Sequence, residues 1–181
     1  MFQPLFRGKL LCLAAPLPED KDTFSRWTLD DGYLRLLDDD PIQPQSPAGF
    51  NFESNPHSAN SFYFHLRTLS DDRLIGFVVL FNIKWASQTS ELAIGIGDAD
   101  YRGKGYGSDA LGLILNYAFS ELNLFRVGLN VMDYNTNAIA AYERAGFVRE
   151  GARRKAVLRE GVRYDLVQFG ILRDEWQSRS R

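Results

Sequence analysis

The chain has 181 residues, 45% of them hydrophobic and 24% charged, which is typical of one globular domain with a substantial core. The formal net charge of -2 shows no basic surplus, so nucleic acid is not expected as a partner. A single cysteine, Cys12, excludes an internal disulfide, and His57 and His65 do not form a usual zinc spacing with that distant thiol.

The N-terminal segment contains a short apolar run over residues 10–15, flanked by prolines. Both the shortness of the run and the prolines argue against a signal peptide. No apolar stretch reaches membrane-spanning length. We therefore expect a cytoplasmic protein without a membrane partner.

The N-terminal part of the chain predicts a strand over 10–14 and then a helical segment over 19–37. Within that segment Gly32 is the expected break. Residues 38–60 are rich in proline, serine and asparagine and have no hydrophobic periodicity. Loops of this length are usually either binding loops or inert excursions, and we interpret this one as part of a substrate mouth.

The middle of the chain predicts three strands, over 61–68, 73–83 and 90–97. No helical pattern separates them, so an antiparallel meander is expected. In the third strand Leu92, Ile94 and Ile96 fall on one face, whereas Glu91, Ala93, Gly95 and Gly97 fall on the other.

The C-terminal half alternates helices and strands. A glycine-rich loop over 100–108 precedes a helix, and a strand follows over 125–131. Residues 135–146 predict a short helix with Asn135 as N-cap and Gly146 just past its end. Two strands near 147–158 and 163–172 turn at Glu160 and Gly161. The whole predicts a single α+β domain over 1–181, with a mixed, mostly antiparallel sheet flanked by helices.

The glycine loop matches parts of three nucleotide-binding designs. A P-loop requires serine or threonine after its lysine, but Gly105 follows Lys104. A dinucleotide fingerprint is satisfied by Gly105, Gly107 and Ala110. It is disfavoured because the loop follows an antiparallel meander, and because no acidic residue lies about twenty positions further on.

The third design is R-x-x-G-x-G, which begins at Arg102 and ends at Gly107. This stretch resembles motif A of the GNAT superfamily of N-acetyltransferases. The segment "NTNAIAAYERAGF", over 135–147, resembles a second signature of the same family. The stretches "ELAIGI" and "LVQFGILRDEW" are most similar to the branch with ribosomal-protein N-terminal and spermidine acetyltransferases.

The resemblance implies a GNAT fold with a splayed central strand pair, and coenzyme A, as acetyl-CoA, for a cofactor. The loop and the following helix N-terminus would hold the pyrophosphate, and the strand over 92–96 would pair with pantetheine. Relatives are often dimers, which allows a homodimer. The implied cofactor-binding residues are Ile94, Gly95, Ile96, Arg102, Gly103, Lys104, Gly105, Tyr106, Gly107, Ser108, Asn135 and Tyr142.

The resemblance also suggests catalytic residues. Tyr142 is the candidate general acid for the departing thiolate, although its spacing also fits a core aromatic packed on Ile139. Glu91 is the candidate base, acting directly or through water, and it could equally be an exposed strand-end carboxylate. An α-amine with a pKa of about 8 is already partly neutral, so a water chain could suffice.

The acceptor is the least defined part of the prediction. The family implies direct acetyl transfer to a primary amine, either a protein N-terminus or a small amine or polyamine. Asp38, Asp39, Asp40 and Glu53 could attract a cationic amine, or they could be solvated surface. A coenzyme A sensor without activity and an enzyme for longer acyl groups remain alternatives, and no metal is expected.

Overall fold

The structure is a computed structural model that describes residues 4–52 and 60–179. A seven-stranded mixed sheet forms the middle of the molecule. Its strands are Leu11–Ala14 (β1), Phe62–Thr68 (β2), Leu74–Lys84 (β3), Thr89–Ile96 (β4), Arg126–Met132 (β5), Val148–Arg159 (β6) and Val162–Leu172 (β7). They lie in the order β1-β2-β3-β4-β5-β7-β6. These bounds confirm each predicted strand to within one residue at each end.

Helices cover both faces of the sheet. They are Asp20–Trp27 (α1), Asp31–Leu37 (α2), Tyr106–Asn116 (α3), Thr136–Ala145 (α4) and Arg173–Arg179 (α5). The predicted helix after the glycine loop continues past α3 as one π-helical turn, Tyr117–Glu121. None of the described helices has the length and apolar character needed to cross a bilayer.

The predicted break at Gly32 is wrong, because the chain leaves the helix earlier, over residues 28–30. Asp30 has extended backbone angles, and its side chain accepts a hydrogen bond from the Tyr33 amide at 2.9 Å. Asp30 is therefore the N-cap of α2, and Gly32 lies inside the first turn of that helix. The capping carboxylate, and not the glycine, decides where the second helix begins.

The predicted meander is confirmed, since β2, β3 and β4 pair in sequence and antiparallel. The next pair, β4 with β5, is parallel and short. It joins Thr89–Glu91 to Arg126–Gly128 and then ends, although β4 continues to Ile96 and β5 to Met132. The two strands therefore diverge, and the gap between them is the splay that the resemblance implies.

The two faces of β4 are covered by different helices. Leu92, Ile94 and Ile96 join the core that Leu111 and Leu115 of α3 complete. Each leucine buried fully in that core contributes roughly 1.5–3 kcal/mol. On the opposite face, Gly95 lies under Tyr33 of α2, and Gly97 lies under the Trp27 ring of α1. Larger residues at these two glycines would collide with the helices.

The C-terminal hairpin turns where the sequence predicts, with positive φ at Glu160 (49°) and Gly161 (78°). The sequence prediction did not include α5. The helix is short and polar, and tertiary contacts hold it: Glu175 accepts from the Leu172 amide at 2.8 Å, and the Trp176 ring lies 6.5 Å from that of Phe119. A helix of this length has little stability of its own, so its sequence alone gives a weak signal.

A buried polar network fastens α1 to β2. His65 is fully buried, its Nδ1 lies 2.6 Å from the Asp20 carboxylate, and Arg67 bonds the other carboxylate oxygen. The rings of Phe24 and Phe52 each lie 4.8 Å from the imidazole. Burial in this environment lowers the pKa of His65 below its ordinary value, an effect that Asp20 opposes and the Arg67 charge reinforces.

We expect the free energy of unfolding to decrease as the pH falls below the ordinary histidine pKa of 6.5. The unfolded chain takes up a proton near that value, whereas folded His65 takes one up only at lower pH, so protonation favours the unfolded state. Urea titrations between pH 5 and 8 would measure this, with a His65→Asn variant as the comparison. An equal pH dependence in both proteins would contradict the assignment to His65.

Candidate functional site

A cavity of about 620 Å³ lies at the gap between β4 and β5. Its walls come from β4, the glycine loop, α2, α3 and α4. The edge of β4 that turns away from β3 has no strand partner beyond Glu91 among the described residues. An extended ligand could therefore bond to the backbone of β4 as a further strand does.

Most of the predicted cofactor residues meet at this cavity. Those that line it are Ile94, Gly95, Ile96, Arg102, Gly103, Gly105, Gly107, Ser108, Asn135 and Tyr142. The two others are not among the lining residues. Lys104 is exposed, and the Tyr106 ring packs edge-on against Tyr101 at 5.1 Å.

The glycine loop has a geometry that suits an anionic group. Gly103 (φ 71°) and Gly105 (φ 89°) adopt left-handed backbone angles, which other residues rarely do. Gly107 is not among the glycines with positive φ, because it lies in the first turn of α3, and a Cβ built there would have nothing within 4 Å. Since α3 begins at Tyr106, its first amides have no partner within the helix and lie beside this open space. These features fit the pyrophosphate of coenzyme A.

Tyr142, a residue of α4, lines the cavity. It is only 8% exposed, and its ring packs against Phe147 and Phe169 with centroids at 5.8 and 6.4 Å. Burial raises the pKa of Tyr142 to about 12. The phenol therefore keeps its proton at neutral pH and can act as a proton donor there.

Asn135 begins α4 as predicted. Its side-chain oxygen accepts from the Ala138 amide at 3.2 Å, and Gly146 ends the helix with a φ of 103°. The predicted cap residues at both ends of α4 are confirmed.

Glu91 is not among the residues that line the cavity. It lies opposite Gly128 at the last paired position of β4 and β5, which is the closed end of the gap. Its carboxylate accepts a 3.5 Å hydrogen bond from the Asn82 side chain. Alternation along β4 places it on the same face as Gly95.

Sequence reasoning missed the wall that α2 contributes. Tyr33, Leu36 and Leu37 all line the cavity, although they lie far from both motifs in sequence. Burial raises the pKa of Tyr33, so this phenol is also protonated. Apolar residues at helical spacing are typical of any packed helix, and the pattern therefore gave no sign of this role.

The acidic residues of the predicted substrate mouth are partly described. Asp38, Asp39 and Asp40 are exposed and follow directly after α2, and a carboxylate oxygen from each lies within 4.8 Å of the others. Glu53 and His57 lie outside the described residues. The described part of the loop contains one 3-10 turn, Pro47–Gly49.

Comparison with known proteins identifies the family of this chain. The family model described as "Acetyltransferase (GNAT) domain" matches residues 11–148. Probable N-acetyltransferase YjcK of Bacillus subtilis is 34% identical over 155 residues, which are 85% of this chain and 83% of that protein. Spermidine N(1)-acetyltransferase of Vibrio cholerae is 33% identical over 107 residues, 59% of this chain and 61% of that protein.

Comparison with solved structures leads to the same group of enzymes. The crystal structure of spermidine N-acetyltransferase from Vibrio cholerae, in complex with CoA and spermine, has a TM-score of 0.83 to this chain. The match covers 92% of this chain and 98% of that one at 24% sequence identity. The mixed α+β fold with a splayed strand pair, which the resemblance implied, is confirmed.

Proposed function

The chain belongs to the GNAT family of N-acetyltransferases, and we propose that its acceptor amine reaches the cleft past the end of α2 and takes the acetyl group directly. Membership in this family makes the chain an enzyme that transfers an acetyl group from acetyl-CoA to an amine. The observation that carries the proposal is the gap between β4 and β5, where residues of both sequence motifs line one cavity.

Three groups of residues would hold the cofactor. The glycines of the loop and the first amides of α3 would bind the pyrophosphate, and the free edge of β4 at Ile94–Ile96 would bind the pantetheine arm. When bound there, acetyl-CoA supplies the acetyl group as an activated thioester. The protein contributes alignment, because a fixed nucleophile and carbonyl react as if at very high concentration.

Tyr142 is proposed to protonate the sulfur that leaves as the amide bond forms. Two facts support this role: the residue lines the cavity, and its phenol is protonated at neutral pH. Cys12 lies on β1 and is not among the residues that line the cavity. This position supports direct transfer in a ternary complex, without an acetylated cysteine.

Glu91 is proposed to accept the proton of the amine through water. The carboxylate belongs to the closed end of the gap and not to the cavity wall, so a relay suits its position better than direct contact. An amine that arrives partly neutral would need this assistance least.

Two acceptor classes have support. A small cationic amine is favoured by Asp38–Asp40, whose carboxylates follow the cavity-lining end of α2, and by the relative named for spermidine. A peptide α-amine is favoured by the part of the wall that α2 contributes, because its lining residues Tyr33, Leu36 and Leu37 include no carboxylate. Such a wall would not hold a multiply charged cation throughout its length.

We expect an acceptor screen to distinguish the two. Spermidine, short peptides with free or acetylated N-termini, and aminoglycosides would be incubated with acetyl-CoA while thiol release is followed. If the acceptor is a small cation, the KM should rise with salt and in a variant with asparagine at Asp38, Asp39 and Asp40, because exposed charges attract weakly and are screened. Peptide N-termini should be insensitive to both changes.

Binding of acetyl-CoA without acetylation of any primary amine would contradict the proposal and indicate a coenzyme A sensor. A clear preference for longer acyl-CoA donors would indicate a different acyltransferase.

A further inference from the structure

The seven-residue helix α2 is the acceptor-side wall of the cleft, and its two ends are held by the motif residues Arg102 and Asn135. A Cβ at Gly95 would lie 2.5 Å from the Tyr33 hydroxyl and 3.0 Å from Leu37, so α2 lies directly on the cofactor strand. A helix this short is marginal alone, so its position depends on contacts at its ends.

Arg102 holds the N-terminal end. Its Nη1 donates to the Asp30 carboxylate at 3.0 Å, and Asp30 is the N-cap of α2. Its Nε donates to the Ile96 carbonyl at 2.9 Å and its Nη2 to the Gly97 carbonyl at 2.6 Å. The guanidinium also lies 4.8 Å from the centre of the Tyr33 ring. Every guanidinium nitrogen of Arg102 is thus bonded to protein.

Asn135 holds the C-terminal end. Its oxygen caps α4, while its Nδ2 donates to the Leu36 carbonyl at 3.1 Å. The neighbouring Tyr134 hydroxyl donates to the Arg35 carbonyl at 2.6 Å. These donors satisfy carbonyls that the end of a helix leaves without partners.

We propose that Arg102 and Asn135 are positioning residues for the acceptor amine, and that their side chains connect the cofactor site to α2. This inference rests on the proposed function in one respect, that the amine reacts beside α2. Each residue begins one of the two motifs, so the loop and the helix that contact the cofactor also fix the acceptor wall. Cofactor binding, by ordering the loop, stabilises α2 through Arg102.

The test separates acceptor affinity from cofactor affinity. Arg102→Lys keeps the positive charge but loses the planar guanidinium that bonds two backbone carbonyls and Asp30 at once. Asn135→Ser keeps a side-chain oxygen that can cap α4 but loses the amide that donates to the Leu36 carbonyl. In each variant we expect the KM for the acceptor to rise on the order of tenfold, because small displacements of a positioned reactant have large effects. The Kd of acetyl-CoA, measured by calorimetry, should rise by a clearly smaller factor, because only the part of its binding free energy that is coupled to α2 is lost.

Arg173→Lys is the matched control. Arg173 also joins two backbone carbonyls, those of Leu124 and Asn123, but it is not among the residues that line the cleft. It should leave both constants unchanged. Asp30→Asn removes the charge and keeps a capping side chain. Its effect on acceptor KM should not add fully to that of Arg102→Lys, since both weaken the same link between the guanidinium and the N-cap of α2.

Hydrogen exchange gives a readout that needs no turnover. Acetyl-CoA should increase the protection of the amides of residues 33–37 in the wild-type chain, and this increase should be lost in Arg102→Lys. Weaker acetyl-CoA binding with an unchanged acceptor KM, or equal protection of α2 in both proteins, would overturn the inference. Failure of the proposed function would appear separately, as a wild-type chain that acetylates no amine.

Discussion

Replacing Gly107 with leucine is expected to weaken acetyl-CoA binding on the order of a hundredfold, equivalent to about 2.8 kcal/mol. The new side chain would extend from the second residue of α3 into open space that the cavity lining shares. It would occupy the position proposed for the pyrophosphate and cover the free amides. Calorimetric titration with acetyl-CoA measures the effect directly.

The fold should tolerate this change. Leucine has a higher helix propensity than glycine by up to about 1 kcal/mol, and no atom lies within 4 Å of the added Cβ. Gly105 is a poorer target, because its φ of 89° would strain any other residue by roughly 1–2 kcal/mol.

Gly112→Leu supplies the control, since it also lies in α3 with open space at its Cβ but is not among the cavity-lining residues. If Gly107→Leu bound acetyl-CoA as tightly as this control, the pyrophosphate assignment would be wrong.

Replacing Tyr142 with phenylalanine is expected to lower kcat by about a hundredfold, the size typical of losing a general acid. The ring keeps its packing against Phe147 and Phe169, so Tm and the Kd of acetyl-CoA should change little. Steady-state kinetics with a saturating acceptor, together with calorimetry, would separate the two effects.

Tyr117→Phe is the comparison for Tyr142→Phe, because it removes a phenol of similar burial that is not among the cavity-lining residues. The pKa of Tyr142, about 12, also makes a prediction: its ionisation should cause no loss of kcat around neutral pH, and kcat should fall only as the pH approaches that value. A normal kcat in Tyr142→Phe would remove the residue as the acid and leave the alternative interpretation, a core aromatic.

The sequence determined the local elements and predicted the cofactor. Strand periodicity gave the seven strands, and the cap chemistry of Asn135 and Gly146 gave the ends of α4. The glycine loop predicted a site for the pyrophosphate, and in the structure Gly103 and Gly105 adopt left-handed backbone angles, which few other residues adopt. These signals depend on a residue and its near neighbours, so they are readable along the chain.

The tertiary structure decided which residues of the N-terminal half complete the cavity. Tyr33 and Leu37 reach Gly95 only because α2 folds across the sheet, and the sequence placed the break before α2 at the wrong residue. Arg102 shows the same limit: its motif predicts a part in cofactor binding, and only the structure shows that its guanidinium bonds Asp30 and the end of β4. Such contacts join residues that are distant in sequence, so no pattern among neighbouring residues indicates them. The motifs therefore predicted the cofactor, while the cavity wall that α2 contributes depended on how one short helix packs.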